Sequence, residues 1–313
     1  MRKMIIDTDT GSDDAVALAM GVLAEQVEIL GITTVSGNCN VEQSTLNALM
    51  TLEKCQVDVP VYKGCALPLL REKKVDAVSV HGDDGMGDLD LIHPTTTAQN
   101  GHGVDFIIDM VKKYPGEVEI AIIGPATNIA LAIMKEPTIM QQVKHYYIMG
   151  TGGFGLGNAS TMAEFNVYTD AESYVPLLRS HVPKTIIGFD VCIANAFIKE
   201  EIETLRQQSE LGKFLMDANE TLLNYNITRT GEAIIDLPDA VALAVALWPE
   251  EIVTESKSVY ASVAYKESET YGLVMMHDRS DALAVIHDYP KDNATVVKSI
   301  DGKLFKEKIM EII

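Results

Sequence analysis

Short apolar runs alternate with segments of helical period through the first 190 residues of the 313-residue chain. Met4-Ile5-Ile6 reads as a short buried strand, Asp7 to Asp14 as a tight acidic loop, and a helix starts near Ser12 and carries Ala15 to Met20. Val27 to Thr34 predicts a second strand, residues 41–54 a helix, and Val59 to Tyr62 a short strand. Further on the pattern predicts a helix over 103–113, a strand over 118–123, and a helix over 126–134. A strand over 143–149, a helix over 170–180 and a strand over 184–188 complete the series. Such alternation builds an α/β fold, with a mostly parallel central sheet, right-handed crossovers and helices on both faces. Two regions break the rhythm. Residues 63–100 have little apolar periodicity and much Gly, Asp and Thr, and a loop that long is usually functional. Residues 199–247 are helix-rich, after which strands return near 252–263 and 271–276. No repeat, low-complexity tract or linker divides the chain, which reads as a single domain over residues 1–313.

Composition narrows the class. An apolar fraction of 47% supports a full core. No run of 18 apolar residues exists, so no membrane span is expected. Met1 to Asp7 lacks the apolar stretch of a signal peptide and reads as the first strand. The four cysteines, Cys39, Cys55, Cys65 and Cys192, form no CxxC pair, which fits reduced thiols and a cytoplasmic location. A net charge of −20 argues against nucleic-acid backbone binding and says nothing against a neutral small molecule as partner.

Asp7, Asp9, Asp13 and Asp14 put four carboxylates in the loop and at the start of the helix. They would repel one another in a plain turn. The helix N-terminus favours Asp13 and Asp14, and a hard divalent cation would neutralise the rest. The bland alternative is a solvated turn with an Asp or Ser cap. Ligand sites in open α/β sheets lie at the carboxyl ends of strands, which is where this loop falls.

Asp7-Thr8-Asp9-Thr10-Gly11-Ser12-Asp13-Asp14 resembles the signature of the calcium-dependent nucleoside hydrolases. Ser36-Gly37-Asn38, Gly124 to Asn128, Asn158 with Ala163 to Asn166, and Pro238-Asp239-Ala240 follow in the order that family shows. The resemblance implies a nucleoside-hydrolase-like fold with a Rossmann-like core. It also implies Ca²⁺ held by Asp9, Asp14, Asp239 and the Thr127 carbonyl, with Asp9 as general base toward a metal-bound water. Asp13, Asn38, Asn158, Glu164 and Asn166 would grip the ribose hydroxyls, with Met149 beneath the sugar. Glu164 and Asn166 are expected on one face of a strand. A homodimer or homotetramer is the implied assembly.

One position departs from the family. Many members carry His, and others an aromatic residue, directly before the last metal-ligand Asp; this chain has Pro238. His81, in the long loop near the expected site edge, is a candidate for the base pocket, and the resemblance adds Tyr225 and Arg229 on the face of a helix expected over 211–229. His81 fits a structural cap of the Gly-rich loop equally well, and Arg229 fits a plain surface position.

Two rival functions use the same residues. A haloacid-dehalogenase-type phosphatase would explain the strand into Asp7 and Asp9, with Gly82 to Asp88 as metal acids, but in the wrong order. A homologue that binds ribose or nucleoside without turnover would explain Pro238.

Overall fold

Met4, Ile5 and Ile6 are wholly buried, as an apolar run flanked on both faces must be, and they set β1 (Arg2–Thr8) in the middle of the sheet. The computed structural model describes residues 1–72, 75–277 and 290–313. In chain order the other strands are β2 (Val27–Thr34), β3 (Val61–Lys63), β4 (Val118–Ile122), β5 (His145–Met149) and β6 (Lys184–Ile187). They are followed by β7 (Phe197–Ile198), β8 (Ile234–Ile235), β9 (Val253–Val263), β10 (Val274–His277) and β11 (Ala294–Ile300). Nine of these form one sheet in the order β10-β9-β11-β6-β5-β4-β1-β2-β3, and β7 pairs with β8 apart from it. The sheet is parallel from β3 to β11; only β9 and β10 run against their neighbours. Helices cover both faces, over two apolar clusters on opposite sides of the sheet.

The chain leaves β1 toward β2 on one side and returns at β4 on the other. Loops at the carboxyl ends of those two strands therefore diverge and open a crevice.

Two buried helices run into that crevice. Ser12–Leu23 follows β1, and Pro238–Leu247 packs along it. Both are apolar nearly all round, so neither has a face for water. Gly21 permits their close approach: a Cβ there would lie 2.9 Å from Leu243 and from Ile6. The N-terminus of each helix, with its partial positive charge, faces the crevice and presents acids in the first turn, Asp13 and Asp14 on one and Asp239 on the other.

Several elements differ from the sequence reading. The strand expected at 59–62 begins at Val61, because Pro60 has no N–H for the ladder; its carbonyl still accepts from the Ile32 amide. The helix expected over 170–180 starts at Tyr174, after a turn in which Asp170 accepts from the Ser173 amide. In the predicted long loop the only helix among the described residues is Val78–His81, and positions 73 and 74 lie outside them. The helix-rich region resolves into Lys199–Gln208, Glu210–Ala218, Glu220–Thr230 and Pro238–Leu247. Strand β11 and the final helix Gly302–Ile312 were not foreseen.

Candidate active site

Asp13, Asp14 and Asp239 each bring a carboxylate oxygen within 4.8 Å of the other two, and all three residues are buried. Burial first, and then the neighbouring carboxylates Asp14, Asp13 and Asp9, hold the Asp239 carboxyl well above its ordinary range. Asp14 is raised to about 7 by burial and by Asp13, and Asp13 to about 6, chiefly by burial. The local folding tolerates this repulsion through donors. Asp14 Oδ1 accepts from the Thr8 hydroxyl at 2.5 Å, and its Oδ2 from the Gly11 amide at 2.8 Å and from Asn38 Nδ2 at 3.0 Å.

Asp9 lies deeper and is fully buried. Its Oδ2 accepts from the Asn38 backbone amide at 2.7 Å. Its Oδ1 has no hydrogen-bond partner, and neither does Asp13 Oδ1. Burial, with Asp14 and Asp13 nearby, pushes the Asp9 carboxyl far up. Gly37 is what lets the β2 loop close on Asp9, since a Cβ at that position would sit 2.0 Å from Asp9 Oδ2. Asp7, by contrast, is a structural acid. Its Oδ1 accepts from the Thr33 hydroxyl and from Asn128 Nδ2, pinning the ends of β1 and β2 to the start of the helix Thr127–Lys135.

A donor set made only of oxygen, with two buried carboxylate oxygens lacking partners, fits a hard divalent cation. The three acids brought within mutual reach include Asp13, expected on the sugar, and not Asp9, expected on the metal. Thr127 stands at the start of the helix after β4, with its hydroxyl donating to Asp170 Oδ2 at 2.6 Å.

A cavity opens over these acids. Asp13, Asn38, Met149, Asn158, Glu164, Asn166 and Asp239 all line it, as do His81, Tyr225 and Arg229. Asp9, Asp14 and Thr127 are not in its lining. Glu164 and Asn166 reach it differently from the strand alternation expected. Glu164 is the N-cap of the short helix Phe165–Thr169, and its carboxylate accepts from the Asn166 amide at 2.9 Å and the Val167 amide at 3.3 Å. A glutamate here competes successfully for the free amides of a helix start, so the segment turns instead of extending. Burial nevertheless raises its carboxyl to about 7. Asn166 Nδ2 donates to the Ile123 carbonyl at 2.9 Å, tying this turn to the end of β4. Asn158 is more exposed, and its Oδ1 accepts from the Phe165 amide at 2.8 Å.

His81 is buried near Asp13. It lines the cavity, and its Nδ1 shares a hydrogen bond of 2.8 Å with the Ser12 hydroxyl at the helix start. Its Nε2 is 3.8 Å from Asp13 Oδ1, yet burial lowers its pKa to about 4, so the ring is neutral near pH 7 and this is no ion pair. Tyr225 and Arg229 lie on Glu220–Thr230, a helix separate from Glu210–Ala218 and not part of one long helix. Arg229 is exposed, with its guanidinium 5.5 Å from the centre of the Tyr225 ring.

The sequence reading missed Leu222, Asn226, Phe189 and Asp236 in the lining. Leu222 and Asn226 share a helical face with Tyr225 and Arg229, a spacing that could have found them. Phe189 and Asp236 carry no such signal, because they enter from the ends of β6 and β8.

The family model described as inosine-uridine preferring nucleoside hydrolase matches residues 4–307. The chain is a nucleoside hydrolase by family. Its relatives include a probable uridine nucleosidase 1 of Oryza sativa subsp. japonica, 35% identical over 79% of this chain and 77% of the relative. The pyrimidine-specific ribonucleoside hydrolase RihB of Escherichia coli is 31% identical, covering 87% of this chain and 86% of its own. The solved purine-preferring ribonucleoside hydrolase from Gardnerella vaginalis superposes with a TM-score of 0.90 at 29% identity, covering 99% of this chain and 98% of that one. Membership in the nucleoside hydrolases supports hydrolysis of nucleoside N-glycosidic bonds and displaces the phosphatase reading. No helix among the described residues of this family member is long and apolar enough to cross a membrane.

Proposed function

We propose that the protein hydrolyses the N-glycosidic bond of ribonucleosides to free base and ribose, with Ca²⁺ at the acid cluster. One observation carries this reading: the close, buried Asp13–Asp14–Asp239 group at the base of a cavity walled by polar side chains. Asp9, Asp14, Asp239 and the Thr127 carbonyl would hold the ion, and Asp13, which lines the cavity, would face the sugar. When bound, calcium lowers the pKa of a coordinated water and so makes a nucleophile available.

The side chains supply the rest. Asp9 takes the proton of the attacking water on Oδ1, since its Oδ2 is already engaged by Asn38. Asp13, Asn38, Asn158, Glu164 and Asn166 hold the ribose hydroxyls over Met149. The surrounding carboxylates stabilise positive charge developing at the anomeric carbon, and direct attack inverts it. His81, Tyr225 and Arg229 border the space left for the base. Pro238 has no proton to give a leaving base, which is the one observation favouring a binding protein without turnover. The working assembly is a homodimer or homotetramer.

A reducing-sugar assay on inosine, adenosine, guanosine, uridine and cytidine, with and without a chelator, tests this. Ribose release that chelation stops supports the hydrolase. No ribose from any nucleoside, with calcium demonstrably bound, turns the assignment to the binding protein.

A further inference from the structure

Asp236 lies in the same cavity, and no step proposed above uses it. It is buried, and it follows β8 just ahead of Pro238 and Asp239. Its Oδ1 accepts from Asn226 Nδ2 at 2.6 Å, and that amide group also donates to the Ile234 carbonyl at 3.1 Å. The Asn226 amide is thus held from two sides, and it fixes the Asp236 carboxylate in turn. Among the described residues no hydrogen bond engages Asp236 Oδ2. Asp236 lines the cavity, so this oxygen is left for a hydrogen-bond donor that enters it.

The placement of the walls says what could meet it. Asn158, Glu164 and Asn166 come from the segment after β5 and form the polar wall that suits a sugar. Asp236 comes from a different part of the lining, the helix Glu220–Thr230 and the β8 end that is tied to it through Asn226. Tyr225 on that helix offers a ring for a planar group, while Arg229 Nη2 is turned toward Asn226 Oδ1 at 3.4 Å. The planar part of the substrate therefore meets a fixed acceptor on this side.

Building on the ribonucleoside hydrolase reading, we propose that Asp236 recognises the nucleobase: its free oxygen accepts a hydrogen bond from an N–H or NH₂ group on the edge of the base. The site then favours nucleosides whose base carries such a donor over equally sized bases that present only acceptors. A hydrogen bond to a charged group, or its loss, is worth about ten- to a hundredfold in kcat/KM.

Asp236→Asn tests this with little change in shape. The Asn side-chain oxygen can keep the bond from Asn226, and the free oxygen becomes an NH₂ donor. The kcat/KM values of the unmutated protein and the variant are compared on inosine and uridine, on donor-free purine riboside and pyrimidin-2-one riboside, and on p-nitrophenyl β-D-ribofuranoside. The last has a leaving group with no base edge and no need of a proton. The expected result is a loss on the natural nucleosides about ten- to a hundredfold larger than on the nitrophenyl riboside, with a relative gain on the donor-free analogues. Asp236→Ala should erase the preference for a donor without reversing it. An equal loss on all substrates would reduce Asp236 to a structural partner of Asn226 and overturn the proposal, as would an unchanged preference. Failure of the unmutated protein to cleave any substrate, nitrophenyl riboside included, would instead remove the hydrolase reading on which the proposal rests.

Discussion

The backbone amide of Asn38 holds one oxygen of Asp9 at 2.7 Å and leaves the other without a partner. One contact thus orients the carboxylate and keeps a lone acceptor at the base of the site. Asp9→Ala should lower ribose release by about 10²–10⁴-fold, the range expected for a general base. Metal content measured on the same sample separates the two roles proposed for Asp9. Near-normal turnover in a calcium-loaded variant would remove the base assignment.

Gly37 makes that geometry possible. An alanine Cβ would fall 2.0 Å from Asp9 Oδ2, so either the loop or the carboxylate must move. Gly37→Ala should therefore reduce kcat by about a hundredfold, as small misplacements of reacting groups do. Kinetics and calcium affinity would be measured together. Wild-type values of both would show that the loop can yield without disturbing Asp9.

Asp239 is the acid of the cluster that comes from the late part of the chain. Asp239→Ala should abolish stable calcium binding and, with it, turnover. Isothermal titration with calcium reads the first effect directly, and retention of wild-type affinity would exclude Asp239 as a ligand.

Acidity gives a fourth test. The folded-state carboxyls of Asp13, Asp14 and Glu164 are raised to about 6, 7 and 7, in each case first by burial. In an unfolded chain such groups titrate near about 4. Between those values the folded, metal-free protein holds more protons than the unfolded chain, so stability falls as pH rises. The contribution is complete below about pH 4 and gone above about pH 7. Melting temperatures of chelated protein should drop between about pH 4 and about pH 7, and the gain on adding calcium should grow over the same interval. A chelated protein that melts higher at the alkaline end would contradict the linkage.

Pro238 offers a gain-of-function test. Pro238→His would put an imidazole beside the cavity, and inosine hydrolysis should speed up by about tenfold or more if protonation of the base limits the rate. An unchanged inosine rate would mean that another residue already stabilises the departing base.

Much of this site was legible because its chemistry is local in sequence. Asp9, Asp13 and Asp14 sit between a buried strand and a buried helix, and parallel topology alone brings Asn38 and Thr127 to the same edge. Glu164 was legible as a residue but not in its setting. Alternation suggested a strand, whereas its carboxylate captures the free amides of a helix start. Asp236 was not legible at all, since its place depends on Asn226 in another element. The division of the 211–229 segment into two helices also escaped notice. Asn219 sits at that break, and its side chain donates to the Ser12 carbonyl, a contact that no helical period encodes.

The acids of the cluster come from opposite ends of the sequence. Asp13 and Asp14 are made early, and Asp239 arrives only after six of the nine main-sheet strands, with β9, β10 and β11 still to follow. A growing chain can therefore carry half of a metal site long before it can retain an ion. With the proposed ion as reporter, a chain nicked or misthreaded between the two buried helices would lose its grip on the metal before it lost its secondary structure.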